Sequence, residues 1–137
     1  MIKLSLPFPP TVNHMWGFAG KRKFLKKEAH EFRRIVQEAV IEAEAKISGR
    51  IAIFVALYAP TKRKYDLDNR IKALLDALEH AGVFLNDEQI DFIWVVRRES
   101  VVGGLCKIVL VENDKAHQML EEYQELISWM KVKFFIT

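Results

Sequence analysis

The stretch Ile51-Ala52-Ile53-Phe54-Val55-Ala56-Leu57-Tyr58 decides the fold. It is a nearly continuous apolar run of β-forming residues between Gly49 and Pro60, too short for a helix, and it reads as a central strand. On its N-terminal side, Phe32, Ile35, Val36, Ala39, Val40 and Ala43 make a helical stripe within Lys27 to Lys46, while Glu31, Arg34, Glu38 and Glu42 fall on the watery side. Ser48-Gly49 is the expected stop of that helix, since glycine readily takes the left-handed conformation at a C-terminal cap. Further back, Lys21-Arg22-Lys23-Phe24-Leu25-Lys26-Lys27 is a dense basic run, either a solvated lead-in to the helix or a phosphate-contacting surface. Thr11 to Gly20, with Asn13, His14, Trp16 and Gly17, reads as a loop. Ile2 to Leu6 alternates like a half-buried strand, stopped by Pro7, Pro9 and Pro10.

On the C-terminal side a second helix is expected from Asp68 to Ala81, ending at Gly82. Ile71, Leu74, Leu75 and Leu78 share one arc of its wheel and Asp68, Lys72 and Asp76 another. Val83-Phe84-Leu85 should anchor the next turn and so hold Asn86-Asp87. Ile90 to Arg98 and Leu105 to Glu112 read as strands, with Gly103-Gly104 between them as a hairpin signal. Ala116, Met119, Leu120, Tyr123, Leu126, Ile127 and Met130 then recur at three and four, giving an amphipathic C-terminal helix. Phe134-Phe135-Ile136 needs cover from the same domain or from a partner subunit. The order β-α-β-α-β-β, plus the extra C-terminal helix, makes an α+β fold: a small mixed sheet covered by helices.

With 137 residues, half of them hydrophobic, the chain is one domain with a core of its own. A net charge of +3 permits a nucleic-acid partner without requiring one. The single cysteine, Cys106, excludes an intrachain disulfide and a cysteine-built zinc site, and it reads as a small buried hydrophobe. His14, His30, His80 and His117 show no ligand spacing. No run is long and apolar enough for a membrane, and the N-terminus lacks a signal-peptide pattern, so a soluble cytoplasmic protein is expected.

The chemistry concentrates in Lys62-Arg63-Lys64-Tyr65-Asp66-Leu67-Asp68-Asn69-Arg70-Ile71-Lys72 and in Asn86-Asp87. Asp66 and Asp68 can meet at a metal if the chain turns into a helix between them, and Asp87 returns after one helix and one turn. Carboxylates this close repel one another, so a divalent cation is their natural counterion, and magnesium takes such oxygen ligands. Lys72, one turn after Asp68, could neutralise charge developing on a phosphate. Lys62, Arg63, Lys64 and Arg70 would hold a polyanion backbone, as would Lys21, Arg22 and Lys23. Asp76 is a supporting acid or a salt-bridge partner of Lys72. The plain alternative is that aspartates at a helix start cap its N–H groups and meet its dipole.

Leu6-Pro7-Phe8-Pro9-Pro10-Thr11-Val12-Asn13, Asp66-Leu67-Asp68-Asn69-Arg70-Ile71-Lys72-Ala73, Asp76-Ala77-Leu78, Ala81-Gly82 and Leu85-Asn86-Asp87-Glu88-Gln89-Ile90 together resemble the RusA-type Holliday junction resolvases. The resemblance covers about Ile2 to Asn113. It implies a homodimer that binds four-way DNA junctions and makes paired, symmetric nicks with magnesium. It also implies that Asp66, Asp68 and Asp87 are the metal-binding catalytic aspartates and Lys72 the essential lysine. The family often has two adjacent aspartates where this chain has Asn86-Asp87, so Asp87 is taken as the ligand. The expected division is an endonuclease domain over 1–113 and a helical extension of the same domain over 114–137. A non-catalytic module that holds branched DNA, and a dimerisation protein built on the last helix, are the competing readings.

Overall fold

The structure is a computed structural model that describes residues 1–11, 16–113 and 116–131, with the side chains of 116–120 left out of account. Val12, Asn13, His14, Phe134-Phe135-Ile136 and the side chains of Ala116, His117, Met119 and Leu120 therefore lie outside the described residues.

The elements are β1 (Ile2–Leu6), β2 (Trp16–Ala19), β3 (Arg22–Leu25), α1 (Lys27–Ala43), β4 (Ile51–Tyr58), α2 (Leu67–His80), a short 3-10 turn (Asp87–Gln89), β5 (Ile90–Arg97), β6 (Leu105–Glu112) and α3 (Ala116–Met130). The main sheet runs β1-β6-β4-β5, and β2 and β3 form a separate two-stranded ribbon. This is the mixed sheet and α+β class read from the sequence. β4 pairs parallel with β5 and antiparallel with β6.

All eight residues of β4 are buried, because both of its faces are covered. Ile51, Ile53, Val55 and Leu57 pack with Phe32, Val36 and Val40 of α1 and with Leu74, Leu75 and Leu78 of α2. Ala52, Phe54, Ala56 and Tyr58 pack with Val109 and Val111 of β6 and with Leu126 and Met130 of α3. The C-terminal helix thus covers the second face of the sheet, and the Tyr58 hydroxyl donates to the Met130 carbonyl at 3.3 Å. Among the described residues no helix is long and apolar enough to cross a membrane.

Several expectations are corrected. Residues 16–25, read as the end of a loop and a basic run, are the β2–β3 ribbon, turning at Gly20, whose positive φ of 64° suits a residue without a Cβ. Four-residue strands exposed on both faces carry no buried-exposed alternation to betray them. The first helix stops at Ala43, short of Ser48-Gly49, with Glu44 in the left-handed conformation. It stops there because Ala45 and Ile47 turn back into the core. Gly103-Gly104 does not close a hairpin: β4 lies between β5 and β6, so this connection crosses the end of β4. Gly104 has positive φ, and a Cβ there would sit 2.8 Å from Phe8.

Candidate active site

α2 begins at Asp66, whose extended backbone (φ −93°, ψ 134°) is that of an N-cap, yet its carboxylate makes no capping hydrogen bond. Among the described residues it accepts only a long contact from Asn69 Nδ2, at 3.5 Å. Asp68 stands in the first turn, where a negative charge meets the positive end of the helix dipole. It has no hydrogen-bond or ion-pair partner among the described residues. With Leu67, Ile71, Lys72, Leu75 and Val95 it lines an open cleft of about 410 Å³. Capping by side chain, the plain alternative for these aspartates, is therefore not their use in this arrangement.

The other end of α2 delivers Asp87. Gly82 takes a φ of 86°, and hydrogen bonds from Gly82 N to Glu79 O and from Val83 N to Leu78 O reverse the chain. Val83 and Phe84 are buried as anchors, but Leu85 is exposed, against expectation. Gln89 then fastens the turn: its Oε1 accepts from Leu85 N (2.9 Å) and Asn86 N (3.2 Å), and its Nε2 donates to the carbonyls of Ile47 (3.2 Å) and Gly49 (3.0 Å). Asn86 Oδ1 accepts from Glu88 N at 2.8 Å, so this side chain caps the turn. Asp87 N donates to Glu79 Oε1 at 2.9 Å. Glu79 and Gln89 are supports that sequence reasoning missed; a Gln three residues after Asn86 was a readable capping signal.

The outcome is that Asp87 comes back to α2. Lys72 Nζ lies 3.9 Å from Asp87 Oδ2 and 3.0 Å from Asp76 Oδ1. The bond to Asp76 is the chief reason the Lys72 ammonium holds its proton above the usual lysine range. Asp76 is thus the salt-bridge partner, one of the two roles expected of it. Asp87 thus meets Lys72 and Asp76 midway along α2, while Asp68 shares its cleft with Lys72 and Asp66 faces the groove beyond the helix start. Among the described residues, however, no three metal-ligating side chains converge into a ready cage.

The expected phosphate-binding residues divide. Lys62, Arg63 and Lys64 line a groove of about 750 Å³ that also takes in Asp66, Arg97 and Arg98. Arg97, the last residue of β5, and Arg98 just after it were not anticipated. They reach the groove because β4 and β5 run parallel and end side by side. Arg97 donates to the Tyr65 carbonyl at 2.8 Å and lies over the Tyr65 ring at 4.7 Å. Arg70, by contrast, is half-buried. It donates to the Pro9 carbonyl at 2.7 Å with its guanidinium 4.8 Å from the Phe8 ring, and burial lowers its pKa. It ties the proline segment to α2. Lys21, Arg22 and Lys23 stand exposed on the ribbon. Cys106 is buried, which pushes its thiol pKa up and leaves it inert.

The sequence pattern of the endodeoxyribonuclease RusA family matches residues 7–109. The chain belongs to the RusA family. The crossover junction endodeoxyribonuclease of Enterobacteria phage HK97 is 37% identical over 109 residues, covering 78% of this chain and 91% of that protein. The RusA proteins of Escherichia coli K12 and Shigella sonnei are each 30% identical over 113 residues, covering 80% of this chain and 92% of theirs. The RusA match spans the proline segment, the ribbon, α1, α2, β4, β5 and the first part of β6, and it stops before α3.

Proposed function

We propose that this chain is a Holliday junction resolvase that uses magnesium and acts as a homodimer, cutting four-way DNA junctions by paired symmetric nicks. The observation that carries the reading is the return of Asp87 to within 3.9 Å of Lys72 at the helix that begins with Asp66 and Asp68, beside a groove of lysines and arginines.

The donor set fits a hard divalent cation. Asp66, Asp68 and Asp87 offer only oxygens, and neither Asp66 nor Asp68 is spent on a cation or a cap among the described residues. Magnesium is ordinarily held by one or two carboxylates, with waters and substrate phosphate completing the shell, so a cage of three is not required. When bound, such an ion polarises the scissile phosphate and makes water a better nucleophile. The chain's own groups do the rest. Lys62, Arg63, Lys64, Arg97 and Arg98 hold the backbone in the groove. Lys72, kept protonated by Asp76, offsets negative charge growing on the phosphate and the leaving oxygen as water adds to phosphorus and the P–O bond breaks. A two-fold pair supplies two equivalent sites for two strands. In this reading residues 1–113 form the endonuclease domain, and 114–137 extend the same domain.

Cleavage of a synthetic four-way junction with magnesium tests this. Asp68→Asn should slow nicking about a hundredfold or more. Equal rates for variant and wild type would sink the assignment. Wild type that binds junctions but nicks nothing under any divalent metal would instead make the chain a branched-DNA-binding module.

A further inference from the structure

We infer that the β2–β3 ribbon is a stacking arm, with Phe18 laid against a nucleobase unstacked at the strand-exchange point and the ribbon's cations on the neighbouring phosphates. The choice of DNA as occupant rests on the resolvase reading and on charge. Residues 16–27 carry five basic side chains and no acidic one. Such a surface suits a polyanion and repels a cationic partner.

The geometry is that of a thin blade. The register pairs Trp16 with Leu25, Gly17 with Phe24, Phe18 with Lys23 and Ala19 with Arg22. Directly opposed residues share a face, so Phe18 and Lys23 stand on one side, Phe24 and Arg22 on the other. Phe24 can lie flat across the ribbon because position 17 has no Cβ, which would sit 2.5 Å from the ring. Lys23 Nζ lies 4.4 Å above the Trp16 ring, at the inner end of the blade. The rings differ in what they leave open: Trp16 is 36% exposed, Phe24 42% and Phe18 70%. Phe18 is the ring held away from the protein.

Burial does not explain that ring, and the residue paired with it across the ribbon is a cation, Lys23. Aromatic rings interleaved with lysine and arginine are the composition of a single-strand stacking platform, where every base offers a π-face. A junction provides such bases where the strands exchange, and an inserted apolar wedge holds them apart. The base of the arm is held by the helices. Leu25, at its base, packs on Ala29 of α1 and Ala73 of α2, and Ala73 follows Lys72 in the chain.

The experiment measures 2-aminopurine fluorescence and binding, in EDTA, on a duplex with one bulged 2-aminopurine and on a fully paired duplex. Phe18→Ala should weaken binding to the bulged DNA about tenfold and abolish the fluorescence change, leave the paired duplex unaltered, and be rescued by Phe18→Trp. Equal signals from wild type and Phe18→Ala overturn the arm. Junction cleavage by wild type is scored separately. Its absence overturns the resolvase reading alone, while loss of the bulge signal in Phe18→Ala still supports an arm that reads unstacked bases.

Discussion

β4 and the β2–β3 ribbon are both β structure rich in large apolar side chains, and the fold disposes of them in opposite ways. β4 is enclosed by α1 and α2 on one face and α3 on the other, and Phe54 contacts the rings of Phe92, Trp94 and Tyr123 at centroid distances of 5.4, 5.6 and 4.8 Å. Among the described residues the ribbon has no such cover beyond Leu25, and its aromatic rings stay partly or largely in water. Apolar content therefore says that a side chain will be used, while the neighbouring charges say for what. β4 itself carries no charged residue, whereas those of the ribbon beside Phe18 are all positive.

The sharpest way to break that contrast is to remove one phenylalanine from each region. Phe54→Ala should cost about 3–5 kcal/mol of unfolding free energy, since it deletes a buried ring and leaves a cavity. Phe18→Ala should stay within about 0.5 kcal/mol, as surface changes do. Urea unfolding followed by circular dichroism gives both numbers, and a similar cost at the two positions would erase the distinction.

A smaller effect is expected where the two uses meet, in the turn that carries Asp87. Gln89→Ala strips partners from the N–H groups of Leu85 and Asn86 and from the carbonyls of Ile47 and Gly49. It should cost about 1–3 kcal/mol. Because it also frees Asp87 from its place beside Lys72, nicking should fall about tenfold or more even where the protein remains folded. Full activity in a folded Gln89→Ala protein would show that the turn does not position Asp87.

How far these features could be read in advance depended on how local their causes are. β4, α2 and β6 stand out because apolar spacing and length determine them within a single segment. The return of Asp87 to α2 was legible because Gly82 and the buried Val83 and Phe84 act within a few residues of it. The Gly103-Gly104 signal misled because it is local, whereas the partner of β5 is chosen by burying β4 between two strands. Arg97 and Arg98 were missed for the same reason: their approach to Lys62, Arg63 and Lys64 exists only once β4 and β5 are known to be parallel. Arg70 was read as holding a polyanion backbone, yet its flat guanidinium is half-buried against Phe8 and Tyr65 in a way a lysine could not be.

The smallest expected effect concerns the start of β4, where charge rather than packing fastens the strand. Arg50 donates from Nε to Asp91 Oδ1 at 3.0 Å and from Nη1 to Glu88 at 3.1 Å, and Asn113 Nδ2 donates to Asp91 Oδ2 at 3.1 Å. The Arg50 hydrogen bond, aided by Asn113, holds the Asp91 carboxyl below its ordinary value of 3.8. A carboxyl whose folded pKa is depressed adds stability above its unfolded pKa and loses it as pH falls through the folded one. All of these groups are well exposed, so the contribution is modest and weakens with salt. Asp91→Asn should therefore destabilise the protein slightly at pH 7, and the gap to wild type should close as pH drops below the ordinary carboxylate range. Urea midpoints at neutral and strongly acid pH would measure it, and a gap that stays constant between them would mean that the Asp91 charge does not contribute to holding β4 and β5 together.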